Sequence, residues 1–105
     1  MPEGFEWINA DDRERSIFSF VRHSKDQKKN LLFVCNFTPV ARPDYRVGVS
    51  RRKQLKLVLN SDEKQYGGTG AERPLVYKPK KQECDGRPYS IGYDLPPYGV
   101  AVFEF

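Results

Sequence analysis

The sequence predicts an all-β chain folded as an antiparallel β-sandwich of six to eight strands with Greek-key-like connections. Three observations carry that expectation. Short apolar or alternating runs recur at spacings of roughly ten residues, separated by turn-forming residues. No segment sustains the 3.6-residue apolar period of an amphipathic helix. The apolar share is 38%, drawn from seven Phe, six Tyr and one Trp but a single Met, so core volume must come from aromatic and β-branched side chains that suit a pleated surface. At 105 residues the chain is one domain, far short of the about 250 residues of a (β/α)8 barrel.

Residues 1–15 are polar and charged apart from Phe5, Trp7 and Ile8, and read as an attachment segment ahead of a sandwich spanning 16–105. The strand pattern begins at Ser16. Ser16 to Arg22 carries apolar residues on both faces, as does Leu31 to Phe37, with Leu31, Phe33, Cys35 and Phe37 on one side and Leu32 and Val34 on the other. Strands apolar on both faces are expected at the centre of a sheet. The polar stretch between them, His23 to Asn30, lets the two pair as a hairpin.

Tyr45 to Val49 alternates, and so does Gln54 to Leu59, where Leu55, Leu57 and Leu59 are expected to face one way across a basic turn at 50–53. Asn60-Ser61-Asp62 ends that strand, because Asn and Asp side chains bond their own backbone. Residues 60–74, rich in Gly and polar groups, read as a surface loop, with a short strand at Leu75 to Tyr77. Tyr89, Ile91, Tyr93 and Leu95 share one face of the next strand. Pro96-Pro97 then fixes a hairpin corner before a last strand within Tyr98 to Phe105, since proline cannot continue a ladder.

The net charge is +4, from 18 Lys and Arg against 14 Asp and Glu. The basic residues are spread along the chain with acidic ones interspersed, which describes a solvated surface rather than a nucleic-acid or membrane stripe. Cys35 and Cys84 form no Cys-x-x-Cys pair, so neither a zinc nor a redox motif is legible. With no signal peptide or membrane-length apolar run, both are read as free thiols of a cytoplasmic protein. In that setting the acceptor pattern Asn36-Phe37-Thr38 carries no meaning.

A catalytic site is not expected, nor a cofactor or a metal. His23 is the only histidine, and it stands among Arg22, Ser24 and Lys25, where a solvated surface role is expected. Asp11, Asp12 and Glu14 lie in the polar lead-in, and Asp62 and Glu63 follow a turn asparagine, so both groups read as solvated turns rather than an acid and base pair. Tyr66-Gly67-Gly68-Thr69-Gly70 lacks the Gly-Lys-Ser/Thr and helix of a phosphate-binding loop, and Pro74 follows too soon for a helix. Most aromatics fall on periodic apolar positions, which leaves Trp7, Tyr66 and Tyr98 the least explained by alternation.

Several segments together resemble a known family in chain order. They are Gly4-Phe5-Glu6-Trp7-Ile8, the acidic stretch Asn9-Ala10-Asp11-Asp12, Ser16 to Phe20, Val34 to Val40 with its Asn36-Phe37-Thr38-Pro39-Val40, and Tyr45 to Val49. Leu59-Asn60-Ser61-Asp62, Tyr66 to Gly70, Arg87-Pro88-Tyr89-Ser90 and Leu95-Pro96-Pro97 follow. In this order they resemble the C-terminal all-β domain of bacterial glycogen branching enzymes. Departures fall in loops, at Ser50 to Gln54 and Ala71 to Pro74.

The resemblance implies a parent enzyme that cleaves an α-1,4-glucan chain and transfers the segment to a 6-hydroxyl, with its reactive carboxylates in a barrel that this chain does not contain. It implies that 1–15 is the tail of that barrel, with Phe5, Trp7 and Ile8 as domain-interface anchors. The implied partners are the catalytic barrel of the same parent chain and an α-glucan such as glycogen, with no nucleic acid and no membrane. Any direct glucan contact would use Trp7, Tyr66 or Tyr98.

Overall fold

A computed structural model describes residues 4–9, 16–26 and 28–105. Asp11, Asp12 and Glu14, and the stretch Ala10 to Asp12 of the family-like lead-in, lie outside the described residues. Eight strands form two antiparallel sheets: β1 (Phe5–Asn9), β2 (Ile17–His23), β3 (Asn30–Asn36), β4 (Arg42–Val49), β5 (Leu55–Asn60), β6 (Val76–Tyr77), β7 (Tyr89–Leu95) and β8 (Val100–Glu104). The larger sheet has the order β1-β2-β3-β8-β5-β6, and the smaller pairs β4 with β7. Helical structure among the described residues is confined to one 3-10 turn, Lys64–Tyr66.

The chain crosses between the sheets after β3, β4, β6 and β7, and its last strand slots between β3 and β5. Because β7 and β8 belong to different sheets, the Pro96-Pro97 corner is an arch between layers and not the expected hairpin. Proline suits both, since neither needs an N–H from that position. The lead-in likewise contributes more than an attachment, because Phe5 to Trp7 pair in register with Arg22 to Phe20 and make β1 the edge strand of the larger sheet.

The core lies between the sheets. Ile17 and Val21 from β2, Leu32 and Val34 from β3, Leu55 and Leu57 from β5, and Ala101 and Phe103 from β8 face Tyr45, Val47, Ile91, Tyr93 and Leu95 of the smaller sheet. Tyr77, Tyr93 and Phe103 meet edge to face or tilted, with ring centroids 5.3–5.8 Å apart. That arrangement opposes ring edges to ring faces and adds to the burial. β5 departs from the expected alternation. A bulge inserts Val58 between Leu57, opposite Phe103, and Leu59, opposite Val102, so Leu59 turns to the outer face. One extra residue reverses the parity of every position after it.

Candidate functional site

The register builds an apolar row straight across the outer face of the larger sheet. Trp7 stands opposite Phe20, Phe20 opposite Phe33, Phe33 opposite Val102, and Val102 opposite Leu59. A second row, Phe18, Cys35 and Val100, runs beside it. Phe20 stacks on both Phe33 and Phe5, at 4.9 and 4.8 Å between centroids, and Trp7 meets Phe5, Phe18 and Phe20 edge to face. Phe37, exposed beyond the strand end, leans on Phe18. The flanking row toward the opposite end turns polar, with Arg22, Glu104 and Lys56 exposed around Leu31.

The sandwich buries only the inner face of this sheet, and no second sheet of the described residues lies on the outer one. An antiparallel sheet facing water alternates apolar inward with polar outward. Here both faces are apolar, and an aromatic surface of this kind marks an interaction site.

The three residues expected at an interface separate. Phe5 and Trp7 belong to the outer surface, where Trp7 is 40% exposed, whereas Ile8 points inward and is buried in the core cluster. The alternation of β1 forces this division. Of the expected glucan contacts, Trp7 is committed to the ring cluster. Tyr66 and Tyr98 are 57% and 68% exposed and stack on no other ring among the described residues. From the sequence, Phe18, Phe20 and Phe33 count among the aromatics explained by apolar periodicity and are not expected at an interface. The signal that could have found them is the apolar character of both faces of β2 and β3, which requires two covering layers.

The family-like motifs are structural hubs. Asn36 is buried, donates from Nδ2 to the carbonyls of Val40 and Pro96 at 2.9 and 3.0 Å, and accepts at Oδ1 from the Thr38 N–H and hydroxyl at 3.0 and 2.7 Å. One amide side chain thereby fixes the end of β3 against the Pro96 arch, and no face of it is left for modification.

Asp62 also differs from expectation. It is buried, not solvated, and accepts at its carboxylate from the Thr69 N–H at 3.0 Å, the Thr69 hydroxyl at 2.7 Å and Arg73 at 2.7 Å. The glycine-rich loop therefore cradles an anion, but the anion is its own Asp62. A Cβ at Gly68 would overlap the Asp62 backbone, and Gly70 holds φ at +74°, so glycine is required at both. Burial alone would raise the Asp62 carboxyl, yet the bonds from Thr69 and Arg73 outweigh it and hold it below the usual range.

His23 is half-buried. Nδ1 donates to Asn30 Oδ1 at 2.6 Å, and Nε2 lies 3.6 Å from Glu6, which also pairs with Arg87. Burial opposes ionisation of Glu6, but Arg87 and His23 prevail and its carboxyl sits below the usual range. Arg87 also donates to the Trp7 carbonyl at 3.1 Å, tying the edge strand to the loop before β7. Both cysteines are free and half-buried. Burial pushes Cys35 up, and burial with the neighbouring Asp85 charge pushes Cys84 up to about 11, so neither is a thiolate at neutral pH. Among the described residues no three His, Cys, Asp or Glu converge as metal ligands, and no helix is long and apolar enough to cross a membrane.

Residues 7–105 match the family described as alpha amylase, C-terminal all-beta domain. The chain belongs to that family. Its relatives include 1,4-alpha-glucan branching enzyme GlgB of Butyrivibrio fibrisolvens, 49% identical over 97% of this chain and 16% of the relative. The proteins of the same name from Halothermothrix orenii and Aquifex aeolicus are each 43% identical, over 96% and 98% of this chain and 16% of each relative. The chain thus spans about a sixth of the length of the curated relatives it matches. It is the all-β module of such proteins and not their catalytic barrel.

Proposed function

We propose that the chain is the non-catalytic C-terminal domain of a cytoplasmic 1,4-α-glucan branching enzyme. In this reading it packs the outer face of its larger sheet on the catalytic barrel of the same longer protein and stabilises that barrel. The observation that carries the reading is the row Trp7, Phe20, Phe33 and Leu59 around the buried Val102, an apolar surface that the described residues leave without a covering layer. Relatives six times longer leave room for a covering partner in the same polypeptide. Residues 1–15 then form the tail of the barrel, with Phe5 and Trp7 at the boundary and Ile8 acting through the core beneath. The parent reaction, transfer of an α-1,4-glucan segment to form an α-1,6 branch, belongs to the barrel.

Residues 1–105 and the remainder of the longer protein, expressed as separate chains, are expected to co-elute on gel filtration. They are expected to separate when Trp7→Glu and Phe33→Glu are combined. Wild-type pieces that never associate, or branching of amylose by 1–105 alone, would overturn the proposal.

A second reading makes the domain an auxiliary glucan binder. It draws on Tyr66 and Tyr98, exposed rings on backbones held by the Asp62 loop and by the Tyr98 N–H bond to the Thr38 carbonyl at 2.9 Å. Titration with maltoheptaose tests it, with resonance shifts at Tyr66 or Tyr98 expected and a flat response at millimolar sugar against it. Neither nucleic acid nor membrane enters the reading, because the basic residues are spread along the chain with acidic ones interspersed.

A further inference from the structure

The sandwich is open at one end. There β1, β3 and β5 begin and β2, β4 and β8 finish, and the two strands of the smaller sheet are too narrow to close over the larger one. The gap is a cavity of about 240 Å³. Its walls are apolar, built from Ile8, Val21, Val49, Leu55 and Phe105. Its mouth carries Arg51 and Lys53 from the β4–β5 connection, with Glu6, His23 and Asn30 at the side.

Among the described side chains the charges at this mouth are unbalanced. Glu6 is already paired with Arg87 and His23. Asn30 is occupied too, through His23 and through mutual backbone bonds with Phe105, both at 3.0 Å. Arg51 and Lys53 are exposed and make no ion pair among the described residues. Two cations without an ion pair among the described residues thus stand over an apolar hole whose lining carboxylate side chain, Glu6, is neutralised.

We propose that this cavity binds a small amphipathic anion, a carboxylate on an apolar body, with the body between the sheets and the head between Arg51 and Lys53. The cavity is roomy enough to admit the apolar body of a medium-length carboxylate. A sugar fits poorly, because apolar walls would strip its hydroxyls of water without replacing their hydrogen bonds. A phosphate without an apolar body would leave the walls unused. The cavity lies on the inner side of the larger sheet, so the inference is independent of packing through the outer face.

The test is titration of residues 1–105 with octanoate, read by methyl resonances of Val21, Val49 and Leu55 and by calorimetry, with neutral octanamide as control. Saturable shifts confined to these methyls are expected. Octanamide, and octanoate with the Arg51→Glu, Lys53→Glu double variant, are each expected to bind about tenfold more weakly. Absence of saturable shifts overturns the proposal. Equal binding of octanamide overturns it as well and needs no variant. Shifts centred on Phe20 and Phe33 would assign the ligand to the outer face instead, which also overturns it.

Discussion

The two faces of the larger sheet are built from the same strands and nearly the same residue types, yet their circumstances differ. On the inner face Phe103 and Leu32 are sealed under the smaller sheet, and on the outer face Phe20 and Phe33 stack in a row with no layer of the described residues above them. The inner face explains why the chain folds. The outer face has no explanation among the described residues, since a sheet that met only water would carry polar residues there. The difference teaches that an apolar strand position reports that something covers it, but not whether the cover belongs to the same domain.

The contrast can be broken most directly from within. Phe103→Ala removes a fully buried ring and is expected to lower unfolding stability by about 4 kcal/mol in urea titrations. A loss near that of an exposed residue would mean that the inner face is not the core. Next in size is Asp62→Ala. Asp62 and Arg73 side chains are 7% and 8% exposed, so removing the carboxylate strands a buried guanidinium and is expected to remove about 3 kcal/mol. Thermal unfolding of the variant would measure it.

On the outer face Trp7→Ala forfeits three ring contacts but no sealed volume, with an expected loss of about 2 kcal/mol in the isolated chain. In the longer protein the same change should loosen the barrel as well, read as a lower melting midpoint of the whole. Tyr93→Phe sharpens the inner side in the opposite sense. The Tyr93 hydroxyl is buried without a partner among the described residues, so deleting it is expected to stabilise by about 1 kcal/mol.

The smallest effect is with acid. Glu6 and Asp62 have folded values below their ordinary 4.5 and 3.8, so the stability they contribute is present at neutral pH and is lost as pH falls below these values. Stability measured from pH 7 down to about 3 should fall less steeply in Asp62→Asn than in the wild type. Glu6 contributes less, because its side chain is 38% exposed and solvent screens the pair.

The positions of the strands were legible as short apolar or alternating runs between turn-forming residues, such as Leu31 to Phe37 and Tyr89 to Leu95. Sheet partnership was not. Nothing local distinguishes an arch at Pro96-Pro97 from a hairpin, since both need only a residue that ends a ladder. The bulge at Val58 was hidden for a related reason: Leu55, Leu57 and Leu59 alternate in sequence whether or not the register slips. Asp62 looked solvated because its partner Arg73 lies 11 residues away across glycines, a pairing that only the folded loop creates. The resemblance implies Phe5, Trp7 and Ile8 together as domain-interface anchors, and of the three Phe5 and Trp7 lie on the outer face. Ile8, in the same short segment, was not separable until the pleat assigned it a face.

The slot occupied by β8 bears on how the domain is synthesised. Strand β3 is complete by Asn36 and β5 by Asn60, but they lie on either side of a vacancy filled only by Val100–Glu104. A nascent chain therefore carries two unpaired strand edges until Val100–Glu104 has left the ribosome. Such late, long-range closure makes folding slow and exposes sticky edges to other chains. Loss of a few residues from β8 would split the sheet down its middle instead of fraying its rim.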